Sequence, residues 1–545
     1  MTGARRVPWL LLAATALAVT TACGSTVQQN GGTLSGGQGR QAGGTGGAAG
    51  NGLGGPAGPG AGGTGSDSTG ALSGGSTGGA PGVGGAGGTT GTTTGSTSTG
   101  QGPTTTSGGA STSGGSSVEQ GPGITATTIS VGLPYITNGD AAGKAVGITG
   151  AGGGDQRAQW NVVINDINKH RGGILGRKIV PVFHPTDATS AESYDAQEQA
   201  ACSDYHEDHK VFAVLDNSVN GVLQACTEKA RAVMASETAS LSYSSVQTFS
   251  RYPHYVEVGK LRLDRLARNW PGSLNAQKYF TGWNTSTGTP GPAPVKVGIL
   301  YLDDPASTYS VKNVLIPGLA ALGQRHPDVV QVQSPKSTSD NGSTISAIQA
   351  AVLKFRSDGV THFLPLDPGG GVGLFFAENA ENQKYYPRYG LTTSNGAQLL
   401  RDLGGVFPEK QLHGSLGYGW VPVIDLSASR DPDNGPNSNE PRRTCLKLMK
   451  DGGQNLAGAV QVRSAIEVCD SLSFLKATLE GAGPSITQAT FLAGVNRLGG
   501  SFVAGNTFST GFGPRQHDGV TSGRLFAYDQ TCSCFNYTSG LRTLS

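Results

Sequence analysis

The chain has 545 residues, 88 of them glycine, and a formal net charge of +2. Basic residues are scattered and not interleaved with aromatics, which excludes a nucleic-acid or anionic-surface footprint. Past the N-terminal segment no apolar run approaches the roughly 20 residues of a membrane span. The length allows two or three domains, but composition averages two unlike parts, because most of the glycine excess lies before residue 122.

The chain opens with Arg5 and Arg6, an apolar run from Val7 to Val19, and small residues Thr20-Thr21-Ala22 before Cys23. The run is too short and too early for a spanning helix. It resembles a bacterial lipoprotein signal, in which Cys23 becomes the lipidated first residue; Thr20 departs from the Leu usual there. The alternative is ordinary cleavage near Ala22 with a secreted product. Either way the protein is exported, and the lipidated form is anchored to the outer face of the cell membrane.

From residue 24 to about 120 the chain is Gly, Ser, Thr and Ala. Such a segment buries too little apolar surface to offset its ordering entropy. It is expected to be a flexible tether reaching roughly 55 Å as a Gly-rich coil. Of the seven cysteines, six remain once Cys23 is set aside. In an oxidising compartment an even number points to disulfides, and the natural pairs are local: Cys202 with Cys226, Cys445 with Cys469, and Cys532 with Cys534. Zinc lacks a second ligand pair at suitable spacing.

Strand and helix patterns alternate from Ile124 onward. Ile129, Val131 and Leu133 alternate in a strand. Trp160, Val163, Ile164 and Ile167 mark one apolar helical face, ended by Gly172-Gly173. A second strand runs Lys178 to Phe183 and completes a strand–helix–strand unit. A helix over 191–209, a strand over 210–215 and a helix with Val219, Val222, Leu223 and Cys226 follow. A fourth strand is read at Ala239 to Ser245 and a fifth at His254 to Val258. A second set of units begins at Val295, with strands at 295–302, 329–332, 361–366, 389–393 and 413–420. Residues 281–294 and 427–441 read as surface insertions, 465–500 as helical, and 502–537 as terminal strands and turns.

The strings Thr128–Leu133, Asn165-Asp166-Ile167-Asn168, Gly172-Gly173-Ile174-Leu175-Gly176-Arg177-Lys178-Ile179 and Thr186-Asp187 resemble the type I periplasmic binding proteins. The nearest branch is the branched-chain amino acid (Leu/Ile/Val) substrate-binding lipoproteins of ABC transporters. The cysteine pair at 202 and 226 matches a disulfide of many members. The resemblance implies an α/β protein with two doubly wound lobes joined by a hinge. Residues 1–22 would be the signal, 23–120 the tether and 121–545 the solute-binding domain. Lobe one would take about 121–255 and 422–510, lobe two about 256–421 and 511–545.

Open α/β sheets bind ligands beyond the carboxyl ends of their strands. Those ends are polar here. Lobe one offers Tyr135, Asn217, Ser218, Ser242, Tyr243, Ser244 and Ser245. Lobe two offers Asp304, Tyr309, Asp367, Asn395 and Trp420. By resemblance, Ser218 and Ser242 to Ser245 match the residues that hold a ligand's α-carboxylate, and Tyr309 a tyrosine of lobe two. The family's amino-acid binders carry an acid near Ser394-Asn395. This chain has none there, and Asp367 is the available substitute. The glycines at 150–154 and 369–373 lack the strand-end placement of a dinucleotide motif, and no Gly-x-Ser-x-Gly lies between a strand and a helix. The cluster of His206, Glu207, Asp208 and His209 reads as a solvated helix end. The expected function is therefore binding without chemistry, with no cofactor and no metal. A monomer would capture a small polar solute (an amino acid, an amide or a related metabolite) for a membrane ABC permease. The alternatives are a ligand sensor for a partner receptor and an envelope structural protein with a disused cleft.

Overall fold

Ile129, Val131 and Leu133 have no exposed surface and belong to the central strand Thr128–Thr137 (β1). The protein is described here by a computed structural model of residues 118–145, 148–216, 221–237 and 242–545. The export signal, Cys23, the glycine-rich stretch to residue 117, Asn217 and Ser218 lie outside the described residues. After β1, Asp155 caps the helix Gln156–His170 by accepting the backbone N–H of Ala158 at 2.9 Å. Trp160, Val163, Ile164 and Ile167 lie on its buried face. Gly172 and Gly173 adopt φ of 71° and 76°, a region a Cβ disfavours, and turn the chain into Lys178–Asp187 (β2). β2 pairs in parallel with β1 from Lys178 opposite Thr128 to Asp187 opposite Thr137.

Ala213–Val214 (β3), Val233–Ser236 (β4) and Tyr255–Glu257 (β5) complete a parallel sheet in the order β2-β1-β3-β4-β5. The fourth strand is a correction to the sequence reading, which set it at Ala239 to Ser245. Val233, Met234 and Ala235 are the buried run that pairs between β3 and β5. Ser242 to Ser245 instead lead irregularly into the helix Val246–Arg251. Buried strands of a parallel sheet are apolar throughout, a demand the hydroxyl-rich segment does not meet.

The second lobe opens with the helix Leu263–Ala276 and then a small hairpin, Trp283–Asn284 (β6) and Thr289–Pro290 (β7), which buries Trp283. Val297–Leu302 (β8), Asp328–Val332 (β9), His362–Leu366 (β10), Arg388–Thr392 (β11) and Leu416–Gly419 (β12) then repeat the first sheet's topology, in the order β9-β8-β10-β11-β12. Ser522–Asp529 (β13) and Cys534–Tyr537 (β14) extend it antiparallel, and Arg542–Thr543 (β15) pairs with β13. Both lobes are doubly wound, as the sequence leads one to expect.

One core gathers residues between 129 and 258 with others between 445 and 512. A second runs from 261 to 424 and from 520 to 544, and takes in Ile148, Ala151 and Val460; a smaller cluster, with Val182, Tyr205, Phe249 and Tyr255, lies wholly within the first lobe. The chain therefore passes between the cores three times. The lobes touch: Tyr194 N–H donates to Lys336 O at 2.9 Å, and Thr338 Oγ1 to Ser190 O at 3.2 Å. Among the described residues no helix is long and apolar enough to cross a membrane.

Candidate functional site

From β1 the chain goes to β2 on one side and later to β3 on the other, so the carboxyl ends of β1 and β3 border a switch point, where such sheets bind ligands. A cavity of about 350 Å³ opens there. Pro134 and Ile136 of β1, His184 to Asp187 at the end of β2, Leu215 and Asp216 after β3, and Glu237 after β4 form its wall. Ser464, Glu467, Val468 and Ser471 close it from the helix Ala459–Ala482, which returns from late in the chain. Gln156 joins the two walls: its Oε1 accepts from Ile136 N–H at 2.7 Å and its Nε2 donates to Ser464 Oγ at 3.1 Å. Trp160 supplies an apolar flank, held by Nε1–H donating to Pro134 O at 2.8 Å.

Beneath this wall lies a buried charged layer. Glu257 has no exposure and accepts from Ser242 Oγ at 2.9 Å, Ser244 Oγ at 2.7 Å and Tyr255 OH at 3.0 Å. Lys260, equally buried, donates to Ser236 Oγ at 2.7 Å. Burial pushes the Glu257 carboxyl up and the Lys260 ammonium down, with the attraction between the two opposing both shifts. Glu237 is held well above the carboxylate range, first by burial and then by Asp470 and Glu467. Its Oε2 accepts from Gly259 N–H, and a Cβ on Gly259 would strike the carboxylate. Asp470 is pushed up to about 7 by burial, while accepting from Gly505 N–H at 2.8 Å. Buried charge is expensive unless paired, and strongly shifted groups concentrate at functional sites. Among the described residues no group of His, Cys, Asp and Glu is arranged to hold a metal ion.

The sequence matches no protein-family model and no curated protein. By structure the chain is similar to a solute-binding protein of an ABC transporter from Rhodopseudomonas palustris HaA2 in complex with p-hydroxybenzoic acid. The TM-score is 0.52 at 15% identity, over 77% of this chain and 98% of that one. A solute-binding protein from Rhodopseudomonas palustris BisB5, in complex with 3,4-dihydroxybenzoic acid, gives 0.51 at 14% identity over 76% and 98%. An extracellular ligand-binding receptor from Rhodopseudomonas palustris HaA2 gives 0.50 at 14% identity over 76% and 100%. The fold is that of the type I periplasmic binding proteins.

Within this periplasmic-binding fold the residues singled out from sequence fall into distinct settings. Ser242 and Ser244 are buried and turned to Glu257. Ser245 caps the helix Val246–Arg251, accepting from Gln247 N–H at 3.3 Å. Tyr243 reaches across the cleft, its OH donating to Pro368 O at 3.3 Å. Tyr135 packs edge-on to Phe183 and beneath the Arg157 guanidinium; its neighbours Pro134 and Ile136, not Tyr135, line the cavity. In lobe two, Asp304 caps the helix Pro305–Ser310 through Ser307 N–H at 2.8 Å, and Tyr309 lies half-buried on that helix. Asp367 accepts from Gly373 N–H at 3.0 Å, and burial raises its carboxyl to about 6. Asn395 braces β11, accepting from Thr392 N–H at 2.8 Å and donating to Pro365 O at 3.0 Å. Trp420 is buried against Tyr418, and its Nε1–H has no acceptor. In the His cluster, His206 Nε2 meets Thr227 Oγ1 at 3.0 Å and His209 Nδ1 meets Asp204 O at 2.9 Å.

The three expected disulfides are formed: Cys202–Cys226, Cys445–Cys469 and Cys532–Cys534. The sequence reading passed over Glu237, Glu257, Lys260 and Glu467. A signal was present for two of them. Glu257 stands inside the apolar strand Tyr255-Val256-Glu257-Val258, and Glu467 shares with Arg463, Ser464, Asp470 and Ser471 one polar face, at helical spacing, of a helix otherwise rich in apolar residues.

Proposed function

We propose that the protein is an extracytoplasmic solute-binding protein, which captures a small polar molecule between its lobes and delivers it to a membrane ABC permease. One observation carries the reading: a cavity of about 350 Å³ at the switch point of the first sheet. That volume falls within the range of small-molecule sites, about 300–1,000 Å³. Its wall mixes apolar side chains such as Ile136, Trp160 and Val468 with polar ones such as Gln156, Ser464 and Glu237, the two kinds of lining a small-molecule site combines. The two structural neighbours described with hydroxybenzoates are solute-binding proteins of ABC transporters, which supports the same use of the fold. Three passages of chain between the cores suit hinge closure around a solute. The protein performs no chemistry in this reading, acts as a monomer, and is held to the membrane by lipid on Cys23.

The test is a thermal-shift screen of the purified protein against amino acids, amides, amines and short organic acids, with native mass spectrometry for a co-purified solute. A solute at about a hundred times its Kd should add about 2.7 kcal/mol of stability. If none raises the melting temperature and none co-purifies, solute binding is wrong. In the same preparation Cys23→Ser should release the protein from the membrane fraction; retention would remove the lipid anchor.

A further inference from the structure

Six carboxylates line the cavity, those of Asp187, Glu192, Glu198, Asp216, Glu237 and Glu467, and among the described residues no Lys or Arg does. Behind the wall the charges balance. Lys260 and Arg463 are buried there, and so are Glu257 and Asp470; Arg463 pairs with Glu467 at 3.6 Å. The excess of acidic over basic side chains therefore lies on the side that faces the cavity, with Glu237 itself held toward its neutral form by burial until a cation is beside it. Glu237 is the second, independent sign. It is 5% exposed and lines the cavity. Its Oε2 is used by Gly259 N–H, but its Oε1 is buried and accepts no hydrogen bond. A buried acceptor left unmet costs about 1–3 kcal/mol, more when it is charged. Such a cost is relieved by a donor that arrives with the ligand. Ile136, Trp160, Leu215 and Val468 supply apolar lining among these carboxylates.

We propose that the solute is an organic cation, an ammonium, amidinium or guanidinium group on an apolar body, with the charged head against Glu237 and Glu467 and the body against Trp160 and Val468. This rests on the solute-binding reading and names the class of solute. An anion such as a benzoate would bring its charge to a wall of like charge, where no lysine or arginine among the described residues receives it. Ammonium and guanidinium groups supply donors without acceptors, and a cation beside Glu237 favours its ionised form, whose unmet oxygen then accepts from that cation. Charge-assisted bonds of this kind are the strong ones.

The test uses the full-length protein and titration calorimetry with agmatine, tyramine, phenethylamine and spermidine as cations. The comparison set is 4-hydroxybenzoate, 3,4-dihydroxybenzoate and leucine. At least one cation should bind and the two benzoates should not. Glu237→Gln should weaken that cation about tenfold to a hundredfold, the effect of losing a hydrogen bond to a charged group. Glu467→Gln, at a half-buried position, should weaken it in the same direction and serves if the buried variant does not fold. If a benzoate or leucine binds and either Gln variant leaves its affinity unchanged or improved, the cation assignment is wrong and solute binding stands. If nothing in either set binds and nothing co-purifies, both fall together.

Discussion

Asp425 shows how a side chain that touches no solute still sets the protein's response to pH. It is buried, and accepts from Thr393 Oγ1 at 2.8 Å, Tyr537 OH at 2.7 Å and Val421 N–H at 3.1 Å. Burial outweighs these donors and raises its carboxyl to about 7. An unfolded Asp titrates near about 3.9. Between those values the folded protein keeps a proton that the unfolded chain has released. This group's contribution is thus full below about pH 4 and is lost as pH rises through about 7, at about 1.4 kcal/mol per pH unit. Glu378, raised to about 7, and Asp367, raised to about 6, act with the same sign. Asp425→Asn isolates one contribution. Urea unfolding at pH 5 and pH 6.5 should show the stability of wild type relative to the variant falling by about 1.4 kcal/mol per pH unit. A constant difference across that interval would mean that Asp425 is ionised in both states.

At the scale of elements, the helices Glu440–Asp451 and Ala459–Ala482 carry part of the first lobe's core although they are distant from it in sequence. Cys445–Cys469 staples them across a separation of 24 residues. Closing a loop of that size is worth about 3–4 kcal/mol by the chain-entropy argument. Cys532–Cys534 has a separation of only 2 and closes almost no loop. Replacing Cys445 and Cys469 by serine should therefore lower the stability measured by guanidinium unfolding by about 3 kcal/mol. The same change at Cys532 and Cys534 should cost less than half as much. Equal losses would show that strain or packing, not loop closure, governs both. Local pairing was legible because each pair is close in sequence: Cys532–Cys534 brackets one turn, Cys445–Cys469 one helix–helix connection, and Cys202–Cys226 one helix–strand–helix segment. The fourth strand was not, because Ala232-Val233-Met234-Ala235 is too short to separate from the end of the preceding helix by periodicity alone.

At the scale of the molecule, the lobes face each other across a cleft bridged by Tyr243 OH and Pro368 O at 3.3 Å. A single neutral hydrogen bond contributes about 0.5–1.5 kcal/mol. Tyr243→Phe should therefore speed hydrogen exchange of the amides next to Pro368 by about two- to tenfold, with amides elsewhere in β10 unchanged. Unchanged exchange at both places would remove this bond from any part in closure. The sequence by itself determined the alternation of strands and helices, the two sets of units and the cysteine pairs, because period, glycine stops and parity are local properties. It also pointed to polar groups near the carboxyl ends of the strands. Only the tertiary structure decided which of those groups are used up internally. Ser242, Ser244 and Asn395 spend their hydrogen bonds on Glu257 and on backbone, which no spacing rule reveals. It also brought Glu467, 230 positions after Glu237 in the numbering, to the same cavity wall. The sign of the charge that wall presents is a sum over residues distant in sequence, so it exists only once the late helix has packed on the first sheet.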